Sequence, residues 1–306
     1  MDLSFFLAAM VRMATPLLIA ALGLVVSERA GLMNIGVEGT MLSGAFAAFA
    51  ITYYTNSYWL GLLAGMLAGA VMALIFAVTS IHFKAPQIVI GCAINMLGSG
   101  LTAVLFRKLF FDASTGGTQV PTFPTLKIPG LSQIPFLGEM LFSHNIIVYL
   151  GFLLVPALWF VMNRTSIGTQ IIAVGEHPKA ADSLGINVFT TRYLATLFSG
   201  VLMGMAGAYL SIAQSNTFNV DMTGGKGYIA MAVVVLGKWR CLGVLGGALL
   251  FGGANALQMT LQNMNLGIPN NLILMVPYVV TVIAVIAGCK QRAIDASAKG
   301  TPYEKA

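Results

Sequence analysis

The sequence predicts an all-α polytopic membrane protein with about eight to ten transmembrane helices. Of its 306 residues, 58% are hydrophobic and only 8% are charged, whereas charged residues make up about a quarter of an ordinary soluble domain. So few charges could not cover a water-soluble fold of this size. Glycine is abundant, with 34 residues, as expected where helices in lipid gain contact energy from close backbone approach.

Apolar runs of about 20 residues, the length needed to cross the hydrocarbon, define the predicted elements. In chain order the predicted spans are 4–26, 33–54, 59–81, 86–106, 145–162, 190–212, 241–262 and 271–289. A further apolar run, 227–237, is too short for an ordinary span. It either begins earlier, near Phe218, or forms one half of a broken helix, which is tolerated only where protein or a cavity covers the interruption.

Residues 1–289 are therefore predicted to form a single transmembrane domain, with three polar segments attached to it. The longest connection, 107–144, is rich in proline, glycine and hydroxyl residues and is predicted to be an irregular, ordered extracytoplasmic cap. The connection 164–189 is predicted to be cytoplasmic. The tail 290–306 has no apolar periodicity and is predicted to be disordered.

The basic residues support this orientation. If all nine segments cross and 164–189 is cytoplasmic, eleven basic residues fall inside and four fall outside, namely Arg107, Lys108, Lys127 and Lys226. Lys and Arg concentrate on the cytoplasmic side of membrane proteins, so the N-terminus is expected outside and the C-terminus inside. Because these charges are scattered along the connections, the net charge of +6 predicts membrane topology rather than nucleic-acid binding.

The sequence argues against an enzyme and against a nucleotide or metal site in this chain. The glycine cluster Thr223–Gly227 lacks the spacing and the hydroxyl residue of a phosphate-binding loop. His82, His144 and His177 fall in separate connections, and the three cysteines form no C-x-x-C pair. We therefore expect no catalytic residue, metal or cofactor in this chain, so that any ATP and Mg²⁺ would be bound by another subunit.

Polar residues within the predicted spans are the candidates for a solute path. Arg12 and Glu38 are the only charged candidates, and a proton- or sodium-coupled carrier would be expected to carry more. The candidates to line a path are Asn34, Glu38, Asn95, Ser99, Asn255, Gln258 and Gln262. The alternative for each is an interhelical hydrogen bond that only holds the helices together.

The segment 27–44 carries both a regular glycine spacing and two of these candidates. Its glycines lie at positions 31, 36, 39 and 44, with Asn34 and Glu38 among them. This pattern predicts a broken helix whose terminus carries a partial charge into the membrane. The alternative is a cytoplasmic connection that leads into an ordinary span.

A polar island, AVGEHPKAADSLGIN at 173–187, separates two long apolar segments. Pro178 suits the first turn of a helix, where its missing N–H costs nothing, and Gly185 suits the left-handed residue that ends one. The island therefore predicts a helix of one to two turns outside the bilayer. An ordinary cytoplasmic loop with a helical turn is the alternative.

Three segments together carry a resemblance to a known family. The island contains K-A-A-x-x-x-G (Lys179 to Gly185) and resembles the cytoplasmic coupling loop of ABC importer permeases, E-A-A-x-x-x-G. With the segments 28–45 and 224–258, the chain resembles, over roughly residues 10–290, the permease subunits of bacterial ABC importers for nucleosides and simple sugars. That family includes the ribose and branched-chain amino acid permeases, and the purine-nucleoside branch is the most similar.

This resemblance implies a type II importer permease fold in the bacterial cytoplasmic (inner) membrane, with a cytoplasmic C-terminus. It implies three protein partners: a cytoplasmic ABC ATPase that binds ATP and Mg²⁺, a second permease that is a paralogue or an identical copy, and an extracytoplasmic solute-binding protein. The implied ATPase-coupling residues are Gly175, Glu176, His177, Pro178, Lys179, Ala180, Ala181 and Gly185.

The implied solute is small and neutral, with nucleosides first. Ribose-like simple sugars are the alternative, and an ion-coupled secondary transporter is a more distant one. The chain departs from the family where Lys179 replaces the glutamate, where His177 stands in place of the more frequent asparagine, and where Cys241 replaces a common proline. His177 lies at the expected ATPase contact, where it would tune coupling. Because Lys179 replaces an acid, the ATPase is expected to present a carboxylate where other systems present a base.

Overall fold

The computed structural model describes residues 3–110, 119–127, 143–264, 269–288, 299–300 and 303. The helices are α1 (Leu3–Arg29), α2 (Val37–Thr55), α3 (Tyr58–Ala77), α4 (Gln87–Leu109), α5 (Ile146–Arg164), α6 (Ser166–Glu176), α7 (Pro178–Ser183), α8 (Val188–Ala208), α9 (Lys226–Leu236), α10 (Cys241–Asn263), α11 (Asn270–Leu274) and α12 (Val276–Gly288). Helix α3 continues into a π-helical turn, Val78–His82, and α8 into another, Tyr209–Gln214. Two short strands, β1 (Thr125–Lys127) and β2 (Ser143–Asn145), pair antiparallel with Leu126 opposite His144.

Six helices of the described part of the chain are long and apolar enough to cross a membrane. They are Ser4–Arg29, Tyr58–His82, Gln87–Leu109, Ile146–Arg164, Val188–Gln214 and Cys241–Asn263. Helix α2, with Glu38 in its first turn, is not one of them and is enclosed by α3, α4 and α8. The predicted all-α polytopic membrane protein is confirmed, and a count of eight or more crossings has to include discontinuous segments.

Helices α1 and α8 form the centre of the bundle and run antiparallel. Gly23 of α1 lies against the carbonyl of Ser199 on α8, and farther along the pair the Tyr209 hydroxyl donates to the carbonyl oxygen of Arg12 over 3.2 Å. Both helices are buried over most of their length. The other helices therefore pack around this pair.

The two halves of the chain pack in the same order around the central pair. Helix α3 packs along α8 and α10 packs along α1, while α2 lies between α3 and α8 and α9 lies between α10 and α1. Because α1 and α8 are antiparallel, the series α1–α2–α3 and α8–α9–α10 have opposite directions, which is the arrangement of an inverted repeat. In each half a long helix is followed by a non-helical link and then by a helix that begins inside the bundle.

The predicted spans differ from the helices in three places. The span 33–54 begins too early, because residues 32–36 are not helical and α2 starts at Val37. The span 271–289 is divided at Met275 into α11 and α12. The run 227–237 is one half of a broken helix: α9 has 11 residues, or about 16 Å, against about 30 Å of hydrocarbon.

Two predicted polar segments are described only in part. Helix α4 runs to Leu109, so Arg107 and Lys108 lie in its last turn rather than in a loop. Residues 111–118 and 128–142 of the predicted extracytoplasmic connection, and 290–298, 301–302 and 304–306 of the tail, lie outside the described residues. Lys226, which is predicted to be extracytoplasmic, is the first residue of α9 and is half-buried.

Candidate functional site

Glu38 caps the helix that begins inside the bundle. Its Oε1 accepts a hydrogen bond from the Gly225 N–H and its Oε2 accepts one from the Gly227 N–H, each at 2.7 Å. The first N–H groups of a helix lack partners within the helix and carry a partial positive charge. Gly225 has φ +82°, which glycine adopts without strain. The carboxylate thus satisfies the start of α9, and Glu38 acts first as a structural cap.

Asn95 performs the equivalent task for α2 and also binds α9. Its Oδ1 accepts from the Gly39 N–H at 2.8 Å, and its Nδ2 donates to the Ile35 carbonyl and to the Tyr228 hydroxyl, each at 3.0 Å. Asn95 lies eight residues, about 12 Å, from the start of α4. The two broken helices therefore meet at one side chain inside the bundle.

The close approach of α2 and α4 depends on two glycines. A Cβ on Gly39 would overlap the backbone of Ile94 and Asn95, and a Cβ on Gly98 would overlap the backbone of Gly39. Without a side chain at either position the two backbones can touch. This contact brings the Asn95 amide to the N-terminus of α2.

Two amide side chains accept hydrogen bonds from backbone N–H groups of the non-helical link before α2. Asn34 is buried, with 1% of its surface exposed, and its Oδ1 accepts from the Gly36 N–H at 2.9 Å. The Gln87 side chain accepts from the Met33 N–H at 2.7 Å. The predicted interruption in 27–44 is confirmed, with Asn34 placed inside it rather than on an open surface. Gln87 was missed, although its position directly after Pro86, at the start of a span, could have indicated it.

Ser99 adds a second polar contact, one turn along α4 from Asn95. The Ser99 hydroxyl donates to Asp221 Oδ1 over 2.6 Å. Asp221 is exposed and has φ +58° in the link before α9. Neither Asp221 nor Tyr228 was among the predicted path residues. Their position beside the short apolar run 227–237 could have indicated them.

The three candidates on α10 are not brought to this cluster. Asn255, Gln258 and Gln262 lie on a helix that packs mainly against α1, α9, α5 and α12. Among the described contacts, the network around Glu38 and Asn95 contains none of the three. The structure therefore unites Glu38, Asn95 and Ser99 and leaves the α10 amides apart.

The polar island forms the predicted short helix. Pro178 is the first residue of α7, and Gly185 ends it with φ +82°, where the Ile186 N–H donates to the Ala181 carbonyl at 3.1 Å. Helix α6, which precedes it, was not predicted. Gly175 near its end packs directly on the backbone of Arg29, where a Cβ would overlap the carbonyl, so α6 rests on the end of α1.

The candidate coupling residues divide into an outward and an inward set. His177, Lys179 and Ala180 are exposed, and Leu184, which the prediction omitted, is 82% exposed. Ala181 is 2% exposed and packs with Val174, Val188 and Tyr303. The surface of α7 that another protein can reach is therefore the His177–Lys179–Ala180–Leu184 side, which we call the α7 outer face.

The end of the chain docks on this same end of the bundle. Lys299 Nζ lies 2.6 Å from Glu28 Oε2 and 4.4 Å from the centre of the Trp239 ring. The Trp239 indole also donates to Glu28, and the Gly300 N–H donates to the Gly31 carbonyl at 3.1 Å. The predicted disorder of the tail is therefore wrong for the described residues 299, 300 and 303.

Tyr303 packs against α7 and the start of α8. It is 6% exposed, and its ring centre lies 5.4 Å from that of Phe189. Burial raises the pKa of the Tyr303 hydroxyl, and a hydrogen bond with Asp182 raises it further. The Tyr303 ring thus joins the described part of the tail to α7 and to the start of α8.

The chain is similar to known proteins over most of its length. Residues 6–285 match the family model described as the branched-chain amino acid transport system permease component. The guanosine ABC transporter permease protein NupQ of Bacillus subtilis is 41% identical over 99% of this chain and 97% of its own. The putative glucose ABC transporter permease protein TsgC13 of Haloferax volcanii is 43% identical over 87% of this chain and 80% of its own.

A third relative, the nucleoside ABC transporter permease protein NupC of Lactococcus lactis, is 33% identical over 99% of this chain and 98% of its own. Bacillus subtilis and Lactococcus lactis each have a second, more distant relative of this chain. They are NupP of Bacillus subtilis, at 24% identity, and NupB of Lactococcus lactis, at 26%. A full-length match to these permeases agrees with a bundle of apolar helices that carries a short capped helix at one end. The chain belongs to the branched-chain amino acid transport system permease family and is a permease component of an ABC transporter.

Proposed function

We propose that this chain is one of two permease subunits of an ATP-driven importer of nucleosides in the cytoplasmic membrane. The observation that carries the proposal is the 41% identity to a guanosine permease over 99% of the chain. The match to a nucleoside permease over the same share supports it. A flat neutral purine nucleoside suits a path with aromatic rings and a few hydrogen-bonding groups.

The α7 outer face is the proposed contact with the ATPase, which binds ATP and Mg²⁺. Leu184 supplies an apolar side chain that is 82% exposed, and Lys179 beside it would face a carboxylate on the ATPase. On its inner side α7 packs against Val188 and Tyr303, while Gly175 in α6 rests on α1. Displacement of α7 by the ATPase would therefore reach the central helix directly. In this orientation the tail is cytoplasmic as well, because it docks beside α7.

The proposed translocation path lies on the side of the bundle that α4 leaves open. Helix α4 is the least buried of the six spanning helices, and its polar residues Asn95 and Ser99 bind the link and first turn of α9. A second permease would close this side. Bacillus subtilis has both NupP and NupQ, and Lactococcus lactis has both NupB and NupC. This supports a paralogue as the second permease. An extracytoplasmic binding protein would deliver the solute.

A sugar importer is the second candidate, because the putative glucose permease TsgC13 is 43% identical. The two functions are separated by expressing the chain with its second permease, ATPase and binding protein in a strain that lacks nucleoside uptake. Radiolabelled guanosine should accumulate and unlabelled glucose should not compete. Accumulation of glucose or ribose that guanosine does not inhibit would contradict nucleoside import and favour the sugar.

A further inference from the structure

An exposed carboxylate lies at mid-depth on the open side of α4. Ser99 stands near the middle of α4 (Gln87–Leu109), and Asp221, which accepts its hydroxyl at 2.6 Å, is exposed. A charged side chain at this depth is costly against lipid, so such residues face a water-filled cavity or another protein. The surface around Asp221 is therefore not a lipid-facing surface.

Two exposed groups, Asp221 in the link before α9 and Tyr228 in the first turn of α9, are held on this surface. Asn95 and Ser99 are four residues apart, so they lie on the same face of α4, about 6 Å apart. Asn95 holds the Tyr228 hydroxyl and Ser99 holds Asp221, and Tyr228 is 50% exposed. Both ends of the segment 221–228 are thus fixed by α4 and present a carboxylate and a phenol side by side.

The hydrogen bonds already made determine what this surface offers to a solute. The Asn95 amide is engaged through both its oxygen and its nitrogen. The Tyr228 hydroxyl accepts from Asn95, so its own proton can be donated outward. Ser99 occupies one oxygen of Asp221, and a carboxylate has about four acceptor positions. The surface therefore presents strong acceptors, one donor and an aromatic ring.

A ribonucleoside carries the matching groups. Its adjacent 2′ and 3′ hydroxyls can both donate to one carboxylate. In dinucleotide-binding proteins an Asp or Glu accepts a hydrogen bond from the ribose 2′-hydroxyl in this way. The base of the nucleoside can lie against an aromatic ring. We propose that Asp221, held by Ser99, binds the ribose hydroxyls of the solute during passage and that Tyr228 contacts the same solute. This inference rests on the proposed nucleoside import and makes Asp221 a residue that selects ribonucleosides over their deoxy analogues.

The test compares solutes as well as variants in the complete transporter. Uptake of guanosine, 2′-deoxyguanosine and 2′,3′-dideoxyguanosine is measured for the wild type, Asp221→Asn, Ser99→Ala and the control Val104→Ala, an exposed α4 residue. The binding protein is the same in every experiment. Its own selectivity therefore cancels when the uptake of each solute by a variant is divided by the uptake of that solute by the wild type. Asp221→Asn should lower guanosine uptake roughly tenfold or more, as expected for loss of charged hydrogen bonds, and dideoxyguanosine uptake by less than about threefold.

Ser99→Ala should give a smaller change in the same direction, and Val104→Ala should give none. Unchanged guanosine uptake in Asp221→Asn would overturn the inference. An equal loss of uptake for all three solutes would also overturn the inference. If the second permease no longer co-purified with Asp221→Asn, the role of Asp221 would be in assembly. If the wild type imports guanosine but neither analogue, the inference is judged on guanosine uptake alone. A tenfold loss of guanosine uptake in Asp221→Asn, with normal assembly, then supports the inference. A wild type that imports no nucleoside contradicts the proposed function instead.

Discussion

At the residue scale, Glu38 connects the two halves of the chain. The sequence places an acid in a glycine-rich segment, which is enough to predict a broken helix there. Its partners, Gly225 and Gly227, lie 187 and 189 residues farther along, and no local periodicity reveals a pairing over that distance. The same limit explains why Asp221 was missed: its role is visible only when the link before α9 is seen against Ser99.

Replacing Glu38 with glutamine should destabilise the bundle. The amide has one acceptor oxygen for two N–H donors, and its NH₂ group would face the positive end of α9. We expect a loss of about 1.5–3 kcal/mol, the range for hydrogen bonds to a charged group. Thermal unfolding in detergent measures this, with Val104→Ala at an exposed position of α4 as the control. An unchanged melting temperature for Glu38→Gln would show that the cap is dispensable.

Gly185 allows a second test at this scale, with a control at the same position. Its φ of +82° costs a branched residue roughly 1–2 kcal/mol, whereas asparagine adopts this conformation more readily. Gly185→Val should shift the end of α7 and reduce ATP-driven uptake severalfold, while Gly185→Asn should retain most of it. A Cβ at this position meets open space, so crowding is not the cause. Equal uptake by both variants would contradict the conformational explanation.

At the scale of elements, the short helix α7 was predictable and its support was not. Pro178 and Gly185 mark its two ends in the sequence. Which alanine faces inward depends on α6, on the start of α8 and on the tail, and only the fold brings these together around Ala181. The tail was predicted to be disordered because it lacks apolar periodicity, but a single buried tyrosine and one ion pair have no periodicity to detect.

Removal of the Tyr303 ring should loosen α7. Tyr303→Ala takes away the aromatic contact with Phe189 and the packing against Ala181, so local opening of α7 should require less free energy. Hydrogen exchange at the Ala181 and Leu184 amides should accelerate by roughly tenfold. Tyr303→Phe keeps the ring and should stay closer to the wild type. Exchange rates that do not change in Tyr303→Ala would mean that the tail does not support α7.

At the scale of the whole molecule, the glycine content predicted close helix packing but not which helices meet. Gly204 on α8 lies against the backbone of Gly65 and Gly69 on α3, whereas Gly246 on α10 has open space where a Cβ would be. The repeated order α1–α2–α3 and α8–α9–α10 was not predicted, because the two halves share a packing order rather than an obvious sequence motif. The polytopic class and the extents of the six long helices could be predicted from hydropathy, because spans of this length follow from bilayer thickness.

Leucine substitutions at these two glycines should therefore have opposite outcomes. Gly204→Leu would force α3 and α8 apart and should abolish the monodisperse folded protein in size-exclusion chromatography. Gly246→Leu should be tolerated, because a side chain there meets open space. It is a matched control, since both changes add the same side chain to a helix. If Gly204→Leu folded as well as Gly246→Leu, the α3–α8 contact would not be essential to the bundle.

The central claim is that transport through this chain is driven from outside it, by an ATPase acting on α7. The most direct measurement is uptake of radiolabelled guanosine into proteoliposomes that contain the chain, its second permease and the ATPase, with the binding protein on the side away from α7. Uptake should require ATP and should disappear when the ATPase is omitted, whether or not a proton or sodium gradient is present. Gradient-driven uptake by the purified chain without any ATPase would contradict the account.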